Sequence, residues 1–161
     1  MSKYWAIILL LPGALMALPE DRSQPIYVSA QQVLIDEPGG VSHYSGAAEV
    51  TQGSLLLKAE TIDVFSRQRQ VDKVIAVGNK DQLAHYQQAQ PEQTRFIQAQ
   101  AQTITYLIDR QLVKLKGKAH LIQGFDSFSG GSLDYDIKQD KVLLKRSETD
   151  DAQRVRFKIK L

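Results

Sequence analysis

The sequence predicts an all-β protein built from two copies of one antiparallel unit, and three observations lead to that prediction. Apolar and polar residues alternate along much of the chain, which is typical of strands with one face on a core. An eight-residue segment, 46–53, returns as 117–124. Clusters of turn-forming residues separate the alternating segments, and no apolar stripe with helical spacing exceeds two turns.

The alternation is clearest in residues 113–121, where every odd position is apolar or small and every even position is basic. Segments 133–138 and 154–161 follow the same scheme. Because successive side chains of a strand point to opposite faces, each segment predicts a strand with one apolar face and one wet face.

The repeat extends beyond the eight-residue segment, since three further pairs of segments match at the same or nearly the same spacing. Two of these pairs keep the offset of 71 residues, and the third has lost three residues in the second copy. Repeated units that cannot close a core alone usually stack and share one. The matching pairs are 30–33 with 101–104, 62–64 with 133–135, and 72–75 with 140–143.

A shorter pattern, a small residue followed three positions later by an apolar one, occurs twice in each copy. Positions i and i+3 of a regular strand face opposite sides, so both can face inward only where the strand bulges or bends. Such bends carry a strand from one sheet into another, as jelly rolls require. The four pairs are Ala30/Val33, Ala59/Ile62, Ala101/Ile104 and Gly130/Leu133.

Glycine, proline and other polar clusters predict the connections between strands. We expect turns at 37–40, 77–80 and 129–132, a loop over 87–93 at the seam between the copies, and a polar turn at 148–151.

The N-terminus predicts export. Lys3 precedes a short apolar run, 4–15, and Ala17 offers a small residue for cleavage, so residues 1–17 read as a signal peptide. Residues 18–161 are then one domain, which must fold without disulfides because the chain has no cysteine. The formal net charge of +2 gives no indication of nucleic-acid binding.

Nothing in the sequence favours an enzyme, a metal site or a cofactor. The chain lacks a nucleophile elbow, a phosphate loop and a zinc-protease motif. His43, His85 and His120 are scattered, and His120 falls on the wet face of its strand. Asp134 and Asp136 share a strand face and could hold a cation or act as paired acids, but a solvated strand face is the simpler explanation.

The apolar face is the better candidate for function. Its side chains either fill a core or line a groove for an apolar ligand, and periodicity alone does not separate these alternatives. The predicted inward set is Val33, Ile35, Tyr44, Val50, Leu55, Leu57, Ile62, Val64, Ile104, Tyr106, Ile108, Val113, Leu115, Leu121, Leu133, Tyr135, Val142 and Leu144.

Segments 24–28, 44–46, 50–53 and 58–60 resemble the OstA-like family, and the resemblance covers roughly residues 24–146. It implies a twisted, V-shaped antiparallel β-jelly roll that is open along one side. The apolar interior of such a fold takes the acyl chains of lipopolysaccharide, and no chemistry occurs there.

The resemblance also implies a place in the cell and a set of partners. It implies a periplasmic protein that carries lipopolysaccharide from the inner to the outer membrane within a bridge, powered by a cytoplasmic ATPase. Copies would associate head to tail. An inner-membrane partner of the same fold would meet the N-terminal edge, and the outer-membrane translocon would meet the C-terminal edge.

The apolar face and the resemblance together give the predicted site residues. At position 85 the family usually has an apolar aromatic residue, so His85 is a departure. The predicted lipid contacts are Ile26, Val28, Val33, Ile35, Tyr44, Val50, Leu57, Ile62, His85, Ile104, Tyr106, Ile108, Leu115, Leu121, Leu133 and Tyr135, and the predicted partner edges are Ile26, Tyr27 and Val28 with Val155, Phe157 and Ile159.

Several alternatives stay open at this point. The last strand either lines the exit of the groove or is an ordinary edge strand guarded by its basic residues. A membrane-anchored partner of the same pathway would keep its N-terminal segment as a helix. A structural β-repeat protein would have a filled core without ligand, and a hydrolase would use Asp134 and Asp136.

Overall fold

The computed structural model describes residues 21–90, 96–145 and 156–159, apart from the side chain of residue 22, and every structural statement below refers to these residues. They form twelve β-strands and one short 3-10 turn, Asp21–Ser23. The strands are β1 (Ile26–Ser29), β2 (Gln32–Asp36), β3 (Val41–Gln52), β4 (Leu55–Arg67), β5 (Gln70–Val77), β6 (Ala84–Ala89), β7 (Phe96–Ala101), β8 (Thr103–Leu107), β9 (Leu112–Gln123), β10 (Asp126–Asp136), β11 (Lys141–Lys145) and β12 (Arg156–Lys158).

The strands form two antiparallel layers that share four long strands. The first layer has the order β2-β3-β4-β5-β8-β9-β10-β11, and the second has β1-β3-β4-β6-β7-β9-β10-β12. In the middle, β4-β5-β8-β9-β7-β6 closes into a ring, because both β4 and β9 contribute to both layers. The predicted all-β jelly roll is confirmed.

The long strands bend where they pass from one layer to the other. In β3 the bend lies at Gly46 and Ala47, and in β9 at Gly117 and Lys118; all four residues have positive φ, between 47° and 79°. Their pairing registers shift at the bends, between Ser45 and Ala48 in the β3–β4 pair. The repeated eight-residue segment therefore encodes a bend, a role that its sequence alone did not reveal.

A glycine is required at the start of each bend by local packing as well as by φ. A Cβ at Gly46 would lie 2.5 Å from the side-chain oxygen of Gln31, and one at Gly117 would lie 2.0 Å from that of Gln102. The backbone N–H of each glutamine donates to the glycine carbonyl, at 3.1 Å and 2.8 Å. We call each of these glutamine–glycine contacts a glutamine clamp. The two glutamine clamps occupy equivalent positions in the two copies.

The small-x-x-apolar pattern marks the bends, as predicted. Ala30/Val33 and Ala101/Ile104 straddle the steps from β1 to β2 and from β7 to β8, while the other two pairs lie at bends within β4 and β10. Ile62, Ile104 and Leu133 are all 0% exposed. The predicted turn at 129–132 is wrong, because these residues lie inside β10 and serve its bend between Gly130 and Ser132.

The other predicted connections have mixed outcomes. The turn at 37–40 is confirmed, and the chain turns again directly after Val77. The predicted loop over 87–93 is wrong for residues 87–89, which pair with β7 as strand β6 in spite of their polar sequence. Residues 91–93, like the predicted turn at 148–151, lie outside the described ranges.

The repeat is confirmed strand by strand. Strands β1–β6 form the first copy and β7–β12 the second, and corresponding strands make corresponding pairs. Val64 pairs with Val74 as Tyr135 pairs with Val142, which confirms the three-residue deletion in the second copy. The copies join where β5 pairs with β8 and β6 pairs with β7.

The core lies between the layers and consists of aliphatic, alanine and tyrosine side chains. Tyr86 and Tyr106 meet edge to face inside it, with ring centroids 6.3 Å apart. Within the described ranges, no helix has the length and apolarity to cross a membrane. The largest fully buried side chains are Leu57, Ile62, Tyr86, Ile97, Ile104, Val113, Leu115, Leu121 and Leu133.

Candidate functional site: an apolar interior with a lateral opening

The interior has a closed side and an open side. Along the bends the long strands run continuously from layer to layer, whereas on the opposite side each layer ends in separate turns. We call this opposite side the lateral opening. It is bordered by 68–69, 108–111 and 137–140 from the first layer and by 53–54 and 124–125 from the second.

One part of the lateral opening is apolar. Its cavity has a volume of about 20 Å³, which is room for about one water molecule, since one water needs ~10–15 Å³ on this measure. An acyl chain can therefore enter only if the layers move apart. We call this part the apolar slot, which is lined by Ile26, Val50, Gln52, Leu55, Leu57, Val64, Val71, Val74, Tyr106 and Ile108.

The other part of the opening is crossed by polar side chains. Gln123 Nε2 donates to Asp140 Oδ1 at 2.6 Å, and the Tyr135 hydroxyl donates to the same oxygen at 3.0 Å. Gln90 Nε2 lies 3.4 Å from both the Tyr135 hydroxyl and Asp140 Oδ1. Gln90 is 4% exposed, and its Oε1 is the buried side-chain oxygen without a partner in the described chain. We call these four residues the polar latch.

The two ends of the molecule expose apolar strand edges. Strands β1 and β2 are the outermost strands at one end, and β11 and β12 at the other. Most of the large exposed apolar side chains lie on or beside these four strands: Ile26, Tyr27, Val33, Leu34, Ile35, Leu143, Phe157 and Ile159.

A family model described as the LptA/(LptD N-terminal domain) LPS transport protein matches residues 27–141. The chain belongs to this family. The resemblance to OstA-like proteins predicted from segments 24–28, 44–46, 50–53 and 58–60 is thereby confirmed.

Named members of this LPS transport family are similar over most of the chain. The lipopolysaccharide export system protein LptH of Pseudomonas aeruginosa is 33% identical over 125 residues, 77% of this chain and 70% of LptH. The corresponding protein LptA of Escherichia coli K12 is 25% identical over 126 residues, 78% of this chain and 67% of LptA. A crystal structure of LptH, described as the periplasmic component of the lipopolysaccharide transport device of Pseudomonas aeruginosa, superposes with a TM-score of 0.80 at 30% identity. It covers 89% of this chain and 100% of that one.

Most residues predicted to face inward lie on one continuous inner surface. A row of paired residues crosses the first layer from edge to edge, and a second row crosses the second layer. The first row is Val33, Tyr44, Ile62, Ala76, Ile104, Leu115, Leu133 and Leu144. The second row is Val28, Val50, Leu57, Tyr86, Ala99, Leu121, Phe128 and Phe157.

Val33 and Ile35 are on the inner face but are not buried. They pair with Tyr44 and Ser42, which fixes their side, yet they are 51% and 60% exposed. The reason is that β2 is the last strand of its layer, so no described strand covers it. They therefore extend the inner surface beyond the closed core.

His85 is on the wrong face for the predicted interior contact. It pairs with Lys58 and Gln100, which lie on the outer surface of the second layer. Partial burial and the nearby Lys58 charge lower the pKa of His85. Tyr86, the next residue, occupies the interior and is 1% exposed. Alternation through 84–86 could have indicated this assignment.

The predicted edge residues lie on edge strands as far as they are described. Ile26, Tyr27 and Val28 belong to β1, and Phe157 lies on β12 with Ile159 directly after it. Val155 lies outside the described ranges. The polar latch was missed altogether, because it joins residues far apart in sequence and Gln90 falls in a stretch expected to be a loop.

The candidates Asp134, Asp136 and His120 are held by polar neighbours. Asp134 lies 3.5 Å from Lys145, and Asp136 accepts a backbone hydrogen bond from Gln139. His120 contacts the Ser129 hydroxyl at 2.6 Å on the outer face. No group of metal-binding side chains occurs among the described residues.

Proposed function

We propose that this chain binds lipopolysaccharide in the periplasm, after signal-peptide cleavage near Ala17, and carries it from the inner to the outer membrane. One observation carries the proposal: the inner apolar surface runs without interruption from the uncovered strand β2, through the core, to the edge strand β11. A ligand-free structural protein has no need for an interior surface that continues uncovered to its edge. Membership in the LPS transport family and the similarity to the lipopolysaccharide export system proteins LptA and LptH support the same function.

The energetics suit transport along a surface. Each buried methylene group contributes ~0.8 kcal/mol, so several acyl chains bind strongly. Since hydrophobic contact is not directional, a chain can move past successive apolar residues without breaking a specific polar contact at each step. This role requires neither a catalytic residue nor a cofactor.

The proposal extends to head-to-tail association, because the internal junction between the copies supplies a template for it. Inside the chain, β8 pairs with β5 through Ile104 opposite Ala76 and Tyr106 opposite Val74. By the repeat, β2 corresponds to β8 and β11 to β5. Strand β2 of one molecule would then add to β11 of the next, continuing the first layer by strand addition.

The register that this template gives is chemically consistent. It places Val33 opposite Leu144, Leu34 opposite Leu143, Ile35 opposite Val142 and Asp36 opposite Lys141 of the neighbouring molecule. In the second layer it places Val28 opposite Phe157 and Ile26 opposite Ile159. Leu34 and Leu143, 69% and 54% exposed on the outer face, would cover each other. An inner-membrane partner of the same fold would use the β1–β2 edge, and the outer-membrane translocon would use the β11–β12 edge.

Photocrosslinking tests lipid binding. A light-activated phenylalanine analogue replaces Tyr106 in the apolar slot, and a matched control carries it at Lys114 on the outer face of the adjacent strand. After irradiation with lipopolysaccharide, we expect a lipid-shifted band from position 106 and none from position 114. Equal labelling, or no labelling in a folded protein, would favour the structural β-repeat alternative.

Complementary edge variants test the association. Leu34→Asp damages one edge and Leu143→Asp the other, and neither residue faces the interior. In sedimentation experiments we expect each variant to be monomeric and their mixture to form dimers, because each retains one intact edge. Lys114→Asp is the surface control. A mixture that stays monomeric, or forms long chains, would contradict head-to-tail pairing.

A further inference from the structure

We propose that the polar latch, Gln90 with Gln123, Tyr135 and Asp140, closes the lateral opening over the second copy and must release before lipid passes through that part of the interior. This inference rests on the proposed function. It goes beyond that function by naming the side chains whose hydrogen bonds close one part of the lateral opening.

The contacts of the polar latch join the two layers. Gln90 follows β6, and Gln123 ends β9, so both lie at the rim of the second layer. Tyr135 near the end of β10, and Asp140 in the turn before β11, lie at the rim of the first layer. The bonds from Gln90 and Gln123 therefore run across the opening, at 3.4 Å and 2.6 Å.

The closed arrangement is incompletely satisfied. Both hydrogen bonds of Gln90 are long, and its buried Oε1 has no partner among the described residues. An unpartnered buried acceptor is unfavourable, and it regains a partner as soon as water or a ligand hydroxyl or amide reaches it. Opening breaks the cross-layer hydrogen bonds but gives Gln90 Oε1 a partner. The net cost of opening is therefore reduced, and the polar latch can release reversibly.

The first copy lacks this device at the corresponding positions. Tyr135 is replaced by Val64, which lines the apolar slot. Asp72 corresponds to Asp140, but it pairs at 2.8 Å with the exposed Arg67 of its own hairpin. Cross-layer closure by a buried tyrosine and a carboxylate is therefore a feature of the second copy.

The Tyr135 hydroxyl stays protonated, which is the form that can donate a hydrogen bond within the polar latch. Burial raises the pKa of its hydroxyl well above the ordinary value of a tyrosine. The hydroxyl stays neutral and donates to Asp140 across the physiological range.

A reducible crosslink across the lateral opening tests the inference. Because the chain has no native cysteine, only the introduced cysteines can react. Gln123→Cys with Asp140→Cys is bridged by a short, reducible bis-thiosulfonate linker. The control bridges Gln87→Cys with Gln98→Cys, which are neighbours within the second layer and do not span the opening. The readout is transfer of fluorescent lipopolysaccharide from the loaded protein to an unlabelled acceptor copy.

We expect the crosslink between positions 123 and 140, the latch lock, to slow transfer at least about tenfold, and reductant to restore the rate. The protein with the control crosslink between positions 87 and 98 should transfer lipid at the wild-type rate. Tyr135→Phe should act in the opposite direction. It should speed transfer about 2- to 10-fold, the factor that corresponds to the loss of one hydrogen bond. Transfer by the latch lock at the control rate, or no acceleration in Tyr135→Phe, would overturn the latch. Failure of the wild-type protein to take up lipopolysaccharide would instead overturn the proposed function.

Discussion

The two copies of the repeat have the same backbone plan, yet they border the lateral opening with different chemistry. The first copy presents an apolar slot, and the second closes with the polar latch. The bends, the glutamine clamps and the buried apolar rows are shared. The repeated positions thus maintain the fold, while the border of the lateral opening, where the copies have diverged, is where we propose that passage of lipid is controlled.

The largest expected effect is a loss of unfolding free energy at the buried positions that both copies share. Ile62 and Leu133 are equivalent residues, both 0% exposed at a bend. Replacing either with alanine leaves a cavity, and we expect each variant to lose about 2–5 kcal/mol of unfolding free energy. Urea denaturation measures both. A loss near zero at one site, with a large loss at the other, would show that the copies do not share one core.

The second effect is the pH dependence of stability at high pH. Burial raises the pKa of Tyr86 and of Tyr135 above the ordinary tyrosine value of about 10. Unfolding therefore releases protons more readily, so these residues stabilise the fold fully below pH ~10 and progressively less as pH rises. The loss is up to about 1.4 kcal/mol per pH unit for each residue.

Phenylalanine variants isolate this effect. Tyr86→Phe and Tyr135→Phe should each flatten the decline of unfolding free energy between pH ~10 and 11. Tyr27→Phe, at a ring that is 68% exposed, serves as the control and should leave the decline as in the wild type. An unchanged decline in the Tyr86→Phe, Tyr135→Phe double variant would mean that other groups cause it.

A matched pair of charge removals compares the stability that equivalent aspartates contribute at the border of the lateral opening in the two copies. Asp140→Asn replaces charge-assisted hydrogen bonds within the polar latch, and we expect a loss of about 1–2 kcal/mol. Asp72→Asn removes an ion pair with Arg67, which is 85% exposed, and we expect less than about 0.5 kcal/mol. Thermal or urea unfolding at pH 7 gives both values. Equal losses would remove the energetic distinction between the rims.

The smallest effect concerns His85 on the outer face. Its pKa is lowered by burial and by Lys58, so the folded state disfavours the protonated ring. Its contribution is present above the unfolded pKa of ~6.5 and is lost as pH falls through the lower folded value. We expect His85→Gln to reduce slightly the loss of stability below pH 6.5. Arg156→Gln, at the equivalent position in the second copy, should not reduce it.

The sequence predicted the strands and bends well because these depend on local rules. Alternation in 113–121 and the small-x-x-apolar pairs report directly which side chains face inward. Where two local signals conflicted, the prediction failed: Ser129 and Gly130 resemble a turn, but the packing of the bend keeps them in β10. The face of His85 was misassigned because the family resemblance, and not the local alternation, decided it.

The polar latch could not be predicted, for a different reason. Gln90 and Asp140 are 50 residues apart and come from different layers. Periodicity gives the face of a strand but not the angle between layers, so it does not reveal which rim residues meet. The exposed edges at Leu34 and Leu143 pose the same difficulty, since their proposed partner is another molecule.

The most direct test of the difference between the rims is a distance measurement across the opening by electron spin resonance. One label pair, at Phe125 and Gln139, spans the second copy, and another, at Gln24 and Arg69, spans the first; all four positions are exposed. On addition of lipopolysaccharide, we expect the distance across the second copy to lengthen markedly as the polar latch releases, and the distance across the first copy to change less. An unchanged distance between 125 and 139, with lipid demonstrably crosslinked to position 106, would contradict it.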